Sequence, residues 1–426
     1  MLYVGGFDFP TVQARGIQSL HTAHALARAD VHVRLLAQRA PGRRVRPADA
    51  LAGYGLEPHP NLTLVPLLVA RADRLTWLEI HKRLALTNWS YGAACILDLL
   101  TTWPRPDVVF TRDPRLAWLF LRAWPLHRTP VVYEVHEVFS TRPRDNTSLA
   151  PGELRGVADR TRALERAVFA GADLLFPLTD ASAEVIEREF GVPRERMVVL
   201  PDGTIPPSGA LPSRDPKTRT VVYAGQLYAW KGVDVLLRAM AFLPEATLTV
   251  IGGHSVPPLQ GGAGGYGGGD GGGSGRAFGD DADLTRCRAL AAQLGVAERV
   301  AFTGFLPHAD VRGRLAGAGV AVVPLPDRLM SRYFTSPLKV FDYMAAGVPI
   351  VASDLPALRD VLQDGDNALL VPPDDPAALA TAIRRLLVNP GLADRLRRTA
   401  FDGIGAYTWD ARAARILEAL RLPASA

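Results

Sequence analysis

The amino-acid sequence predicts an α/β protein made of two tandem Rossmann-like, doubly wound domains. Short β-rich apolar runs alternate with longer segments of helical period, the pattern of helices layered on parallel strands. Most of those runs are apolar at successive positions, as strands covered on both faces require. The chain has 426 residues, too many for one ordinary core and suited to two domains of about 200 residues each.

The first set of strands is expected at 1–4, 31–37, 62–67, 107–111, 130–135, 173–178 and 197–200. Amphipathic segments such as 160–169 and 181–190 lie between them. A stretch rich in Pro, Gly and Ser at 201–215 bounds the set and closes a first domain at 1–205. A second set follows at 220–224, 247–251, 299–302, 320–324, 349–352 and 368–371, giving a second domain at 206–408. Val233, Leu236, Leu237 and Met240 recur at i, i+3, i+4 and i+7, so a helix follows the first of these strands. The run 261–275 is almost wholly glycine, buries nothing and reads as a flexible surface insertion rather than a phosphate loop.

Composition narrows the function. Cys95 and Cys287 are too few for a disulfide framework or a structural zinc site and read as reduced thiols of a cytoplasmic protein. No apolar run has the roughly 18 residues of a membrane span, and the first residues lead straight into a strand, so neither anchor nor signal peptide is expected. The formal charge of +5 is carried by scattered arginines without the basic and aromatic clustering of a nucleic-acid groove. Small anions and an anionic membrane surface remain as partners. For the membrane, the basic cluster Arg39, Arg43, Arg44 and Arg46 is the candidate, with a solvated loop as the alternative.

The sharpest local signal is the run from Ser336 to Gly347, SPLKVFDYMAAG. Ser336 suits an N-cap, Pro337 the first helical position, and Gly347 ends the helix. The amides of Leu338 and Lys339 then point out of the helix start, where the dipole favours a diphosphate. Lys339 adds a full charge, and Asp342, one turn on, can accept ribose hydroxyls. A second signal is a strand ending in Gly225, followed by Gln226 and a loop to Lys231. Ligands of open α/β sheets bind beyond strand carboxyl ends, which is where this loop falls, so both lysines can face one anion. In the first half, His136 lies at the end of a strand and can bond a sugar hydroxyl, or be a satisfied structural histidine. His21 and His24 read as structural. Arg15 and Gly16, expected just before a helix, offer close backbone approach to a ligand. The acidic groups at Asp364 and Asp366, and at Asp280, Asp281 and Asp283, read as turns rather than metal sites.

Together these pieces resemble the retaining glycosyltransferases of family 4, also called group 1, which have two Rossmann-like domains facing each other across a cleft (the GT-B fold). The resemblance spans nearly the whole chain, through ADLLFPLTD from Ala172, Gly191-Val192-Pro193, Pro201-Asp202-Gly203, YAGQLYAWKGVD from Tyr223, SPLKVFDYMAAGVPIVAS from Ser336 and DGDNALLVPPDDP from Asp364. It implies transfer of a sugar from a nucleoside-diphosphate sugar, with retention at the anomeric carbon and no metal required. The acceptor is a carbohydrate, a lipid-linked or a small molecule. Lys231 matches one of the family's two basic donor-gripping residues; Gln226 stands at the other, with Lys339 able to supply the charge. The family's two glutamates separated by seven residues are here Phe334 and Asp342. His136 looks like the sugar-contacting histidine, and the helix at 409–426 like the segment that crosses back onto the first domain. The alternatives are a nucleotide-sugar epimerase on the same scaffold and a non-catalytic sugar-nucleotide binding protein.

Overall fold

A computed structural model describes residues 1–11, 14–40, 51–70, 80–141, 151–253, 281–304, 306 and 308–421. The 261–275 run and Arg43, Arg44 and Arg46 lie outside them. The chain divides into two compact units, Met1–Asp202 with Trp409–Ala426, and Gly203–Thr408.

The first unit is a parallel sheet of six strands: β1 (Leu2–Phe9), β2 (Val33–Arg39), β3 (Leu62–Leu67), β4 (Val109–Thr111), β5 (Val131–Val135) and β6 (Leu174–Pro177). Their spatial order is β3-β2-β1-β4-β5-β6, so the winding reverses between β1 and β4. Helices Ile80–Thr101 and Pro114–His127 cover one face, where Tyr91, Cys95, Leu99, Leu116 and Phe120 close over Leu2, Val4, Val109 and Val131. The helix Trp409–Arg421 returns to this unit and packs on helix Ala14–Arg28, with Trp409 stacked on His21 at 5.3 Å. The seventh strand expected at 197–200 does not form a ladder. Its Val198 and Leu200 amides reach Leu175 and Pro177 on β6, but the pairing stops after one bridge because Pro177, without an N–H, cannot return the next ladder bond to Val198.

The second unit repeats the plan with β7 (Thr220–Ala224), β8 (Thr247–Ile251), β9 (Val300–Gly304), β10 (Val320–Val323), β11 (Ile350–Ser353) and β12 (Leu369–Val371). The order β12-β11-β10-β7-β8-β9 reverses between β10 and β7. All pairs are parallel, and the strands are buried on both faces, as their continuous apolar sequence requires. Residues 203–205, which the sequence assigns to the first domain, belong here. Thr204 pairs with Thr408, and its hydroxyl donates to Asp342 Oδ1 at 2.7 Å.

Candidate active site

In the second unit, the carboxyl end of β7 meets the start of the helix Leu338–Ala345. Gly225 ends the strand with φ 143°, its amide held by Ile251 O at 2.8 Å. That backbone is open to glycine alone in practice, and a Cβ there would lie 2.8 Å from Lys339 Nζ. Lys339 thus reaches back along the strand end. Its ammonium lies 3.8 Å from the centre of the Tyr223 ring, is inaccessible to solvent, and has no hydrogen-bond partner among the described residues. Tyr223 is pinned in turn, its hydroxyl donating to Gln226 O at 2.7 Å. The Gln226 side chain itself is exposed.

Lys231 closes a single 3₁₀ turn, Ala229–Lys231, with its ammonium 3.8 Å from the centre of the Trp230 ring. The turn is set by Gly232 (φ 76°), where a Cβ would come within 1.6 Å of Pro324 O. Glycine is therefore required for the loop to pack against the end of β10. Burial lowers the Lys231 pKa to about 8. Burial, and then the charge of Lys231, push Lys339 well below the ordinary lysine value. The sequence-predicted lysines are brought together at one strand edge, where the charge of Lys231 disfavours that of Lys339.

The helix start differs by one residue from expectation. Pro337, in extended conformation (φ −78°, ψ 113°), is the N-cap, and Ser336 precedes it rather than capping. An N-cap has non-helical dihedrals, and the fixed proline φ is compatible with that position once ψ is extended. Pro337 has no side-chain acceptor to offer the first turn, which the Leu338 and Lys339 amides open. Ser336, Pro337 and Leu338 are half-buried, and Gly347 (φ 63°) ends the segment as expected. Asp342 lies one turn on and accepts from Thr204. Phe334 is 3% exposed and packs edge-on to Tyr333, so an apolar ring fills the place of the family's first glutamate.

In the first unit, the carboxyl ends of β1, β4 and β5 converge on His136. Arg112 Nη2 donates to His136 Nδ1 at 2.8 Å, while Nε2 faces Glu134 Oε1 in a short contact. With Nδ1 accepting, Nε2 carries the proton. Burial first, then the Arg112 guanidinium, lower the His136 pKa to about 4, so the imidazole is neutral near pH 7. Glu134 is fully buried. Burial alone would raise its pKa, but Arg412 and His136 hold it well below the usual carboxylate range. Gln18 Nε2 donates to the same Oε1 at 2.7 Å, and Arg412 from the returning helix pairs with it at 2.7 Å. Arg412 also bonds Leu200 O at 2.8 Å and Thr22 Oγ1 at 3.2 Å.

Arg15 and Gly16 lie inside the first turn of the helix Ala14–Arg28, not before it. Gly16 serves packing rather than an unusual backbone: a Cβ would stand 2.4 Å from Thr11 Cγ2. Arg15 contributes its carbonyl, which accepts from Arg112 Nη1 at 3.0 Å. Arg112, Glu134 as an anchor, and Arg412 are not singled out by motif. The signal for Arg412 is its place in the stripe Trp409, Arg412, Ala413 and Ile416, all buried: an arginine in an apolar helical face needs an internal anion.

Asp364 and Asp366 lie in a turn, as expected, whereas Asp281 and Asp283 open the helix Asp281–Gln293 rather than a turn, and Asp280 lies outside the described residues. Gly365 has φ 74° and its amide bonds Ala368 O, Asp364 accepts from the Leu370 amide, and Asp283 pairs with Arg286. No cluster of three or more His, Cys, Asp or Glu side chains able to hold a metal ion occurs among the described residues.

Both halves match family models: "Glycosyl transferase 4-like domain" over residues 16–203 and "Glycosyl transferases group 1" over 212–402. A D-inositol 3-phosphate glycosyltransferase of Xylanimonas cellulosilytica is 30% identical over 340 residues, covering 73% of this chain and 71% of the relative. The chain belongs to the group 1 glycosyltransferases. Another D-inositol 3-phosphate glycosyltransferase, from Corynebacterium jeikeium, is 24% identical over 90% of this chain and 89% of the relative. Among solved structures, sucrose-phosphate synthase from Thermosynechococcus elongatus shares the fold with TM-score 0.71 and 20% identity, covering 99% of this chain and 98% of that one. HepE of Anabaena, solved in complex with UDP-glucose, does so with TM-score 0.67 and 15% identity over 99% of each chain. This glycosyltransferase moves a sugar from a nucleoside-diphosphate sugar to an acceptor, and the epimerase and binding-protein alternatives are not favoured.

Proposed function

We propose that the β7 edge of the second unit grips the donor diphosphate. Lys231, Lys339 and the helix-start amides at Leu338 compensate the charge that gathers as the diphosphate leaves. One observation carries this reading: the Lys339 ammonium is buried without an acceptor among the described residues, beside a second lysine that repels it. Such a pair is costly in the free protein and is relieved by a bound anion. Asp342, oriented by Thr204, is assigned to the ribose hydroxyls. The lysines supply the positive charge that a metal supplies elsewhere, so the reaction needs no metal. HepE is solved with UDP-glucose, which makes a uridine diphosphate sugar the donor class to try first. The inositol-phosphate relatives make polyol phosphates the first acceptors.

In the first unit, His136 is assigned to the transferred sugar as a fixed neutral imidazole that, with both nitrogens held by Arg112 and Glu134, meets it through the ring edge, with Arg15 and Gly16 on the acceptor side. The Arg112–Glu134 clamp supports the fixed tautomer. Cys95 and Cys287 are both free and buried, which supports a reducing compartment, the cytoplasm. Transfer assayed with Lys231→Ala tests the reading. We expect turnover to fall about 100- to 1,000-fold while the far-ultraviolet circular dichroism is kept; near-wild-type turnover refutes it.

A further inference from the structure

Six of the nine exposed large apolar side chains among the described residues belong to one stretch of the first unit: Leu68, Trp89, Leu97, Trp103, Trp124 and Leu126. On the helix Ile80–Thr101, Trp89, Ala93 and Leu97 are exposed at steps of four, opposite the buried line of Tyr91, Cys95 and Leu99. The helix Pro114–His127 lies against it, Gly92 fitting beside Leu119 and Trp89 meeting Trp118 edge-on at 6.4 Å. Arg122 and Leu126, exposed a step of four apart on that helix, therefore lie on the neighbouring element. Trp103 is 87% exposed and Leu126 64%, more than chance surface placement of such residues explains.

The charge on this face is one-sided. Helix Pro114–His127 has no acidic residue, and the one acid of helix Ile80–Thr101, Asp98, is taken by Arg34 at 2.5 Å. Arg122 and Arg128 lie over the Trp118 and Trp124 rings at 5.7 and 4.3 Å, while Arg115 on the same helix faces its N-cap Asp113 at 3.6 Å. Tryptophan and leucine interleaved with Arg122 and Arg128, neither of which has a carboxylate partner among the described residues, match the apolar boundary and anionic headgroups of a lipid surface. A dimer seam would more commonly pair such arginines with acids of the second copy.

We propose that this face docks the enzyme on an anionic membrane surface, with the tryptophans and leucines at the headgroup level and the arginines on the lipid phosphates. None of its residues is assigned to the donor or to the sugar. No helix among the described residues is long and apolar enough to cross a membrane, so contact is peripheral.

The test is co-sedimentation of the full chain with vesicles of phosphatidylcholine alone or with added phosphatidylglycerol, at low salt. Binding is expected only to the anionic vesicles. At about 1 kcal/mol per arginine near such a surface, Arg122→Ser with Arg128→Ser lowers the partition coefficient roughly 30-fold. Leu97→Ser with Leu126→Ser, both exposed and outside the core, is expected to lower it at least tenfold. Sugar transfer to a water-soluble acceptor without vesicles is unchanged in both variants. The proposal is overturned by equal sedimentation with both vesicle types, by variants that bind like the parent, or by a solution dimer that these substitutions dissolve.

Discussion

Replacing Lys339 by methionine separates the cost of the donor site from its use. The side-chain stem is kept and the charge removed. In the free protein the ammonium is buried, without an acceptor among the described residues and beside Lys231. An unsatisfied buried polar group costs about 1–3 kcal/mol, while the Tyr223 ring under it returns about 0.5–2 kcal/mol. The balance predicts that Lys339→Met gains about 1 kcal/mol, a rise in Tm of about 2–4 °C for a unit of this size. Transfer moves the other way, with kcat/KM falling about 100- to 1,000-fold as one contact to the leaving diphosphate is lost. The pH dependence follows from the direction of the shifts. Both lysines have lowered pKa values in the fold, so between about 8, where Lys231 titrates, and the ordinary value of 10.5 the unfolded chain binds more protons. Parent stability therefore rises with pH through that window, and this rise shrinks in Lys339→Met. A diphosphate favours the charged forms, so UDP binds with proton uptake at pH 8 and more weakly above it. Calorimetry in two buffers of different ionisation enthalpy measures the uptake, and scanning calorimetry the Tm. A variant that melts lower than the parent, or binds UDP equally well, refutes the reasoning.

Two other substitutions probe the scaffold. Gly232→Ala places a methyl against Pro324 O at a left-handed φ; a loss of about 2 kcal/mol or more is expected in urea unfolding. Arg412→Met removes the cation nearest the buried Glu134 and is expected to cost about 3–5 kcal/mol. Adding Glu134→Gln should recover part of that loss, and a single-variant loss under about 1 kcal/mol would show that Gln18 and His136 suffice.

Much of the scaffold was legible in the chain because its strands are buried on both faces, so their runs from 220–224 to 368–371 stand out as apolar without alternation. The edge at 197–200 misled for the same reason: its composition is that of a strand, but Pro177 on the neighbouring β6 denies it a ladder, and pairing is not a local property. At the donor site, local signals located Lys231, Gly225 and the helix before Gly347, since turn glycines and prolines punctuate the chain directly. The cap is less determinate: serine and proline each suit the position, and only the extended ψ of Pro337 assigns it.

Sequence alone, then, determined the two doubly wound domains and the two lysines at strand-to-helix corners. Periodicity and turn chemistry are written within a few residues of each position. Tertiary structure decided that Lys339 bends back over Tyr223 with its ammonium buried beside Lys231. It also decided that an arginine nearly 280 residues from Glu134 is the counter-charge of the carboxylate that faces His136 Nε2. Those relations join residues far apart in the chain, and burial, which turns an ordinary lysine or carboxylate into a strained or ionised one, exists only once the layers have closed.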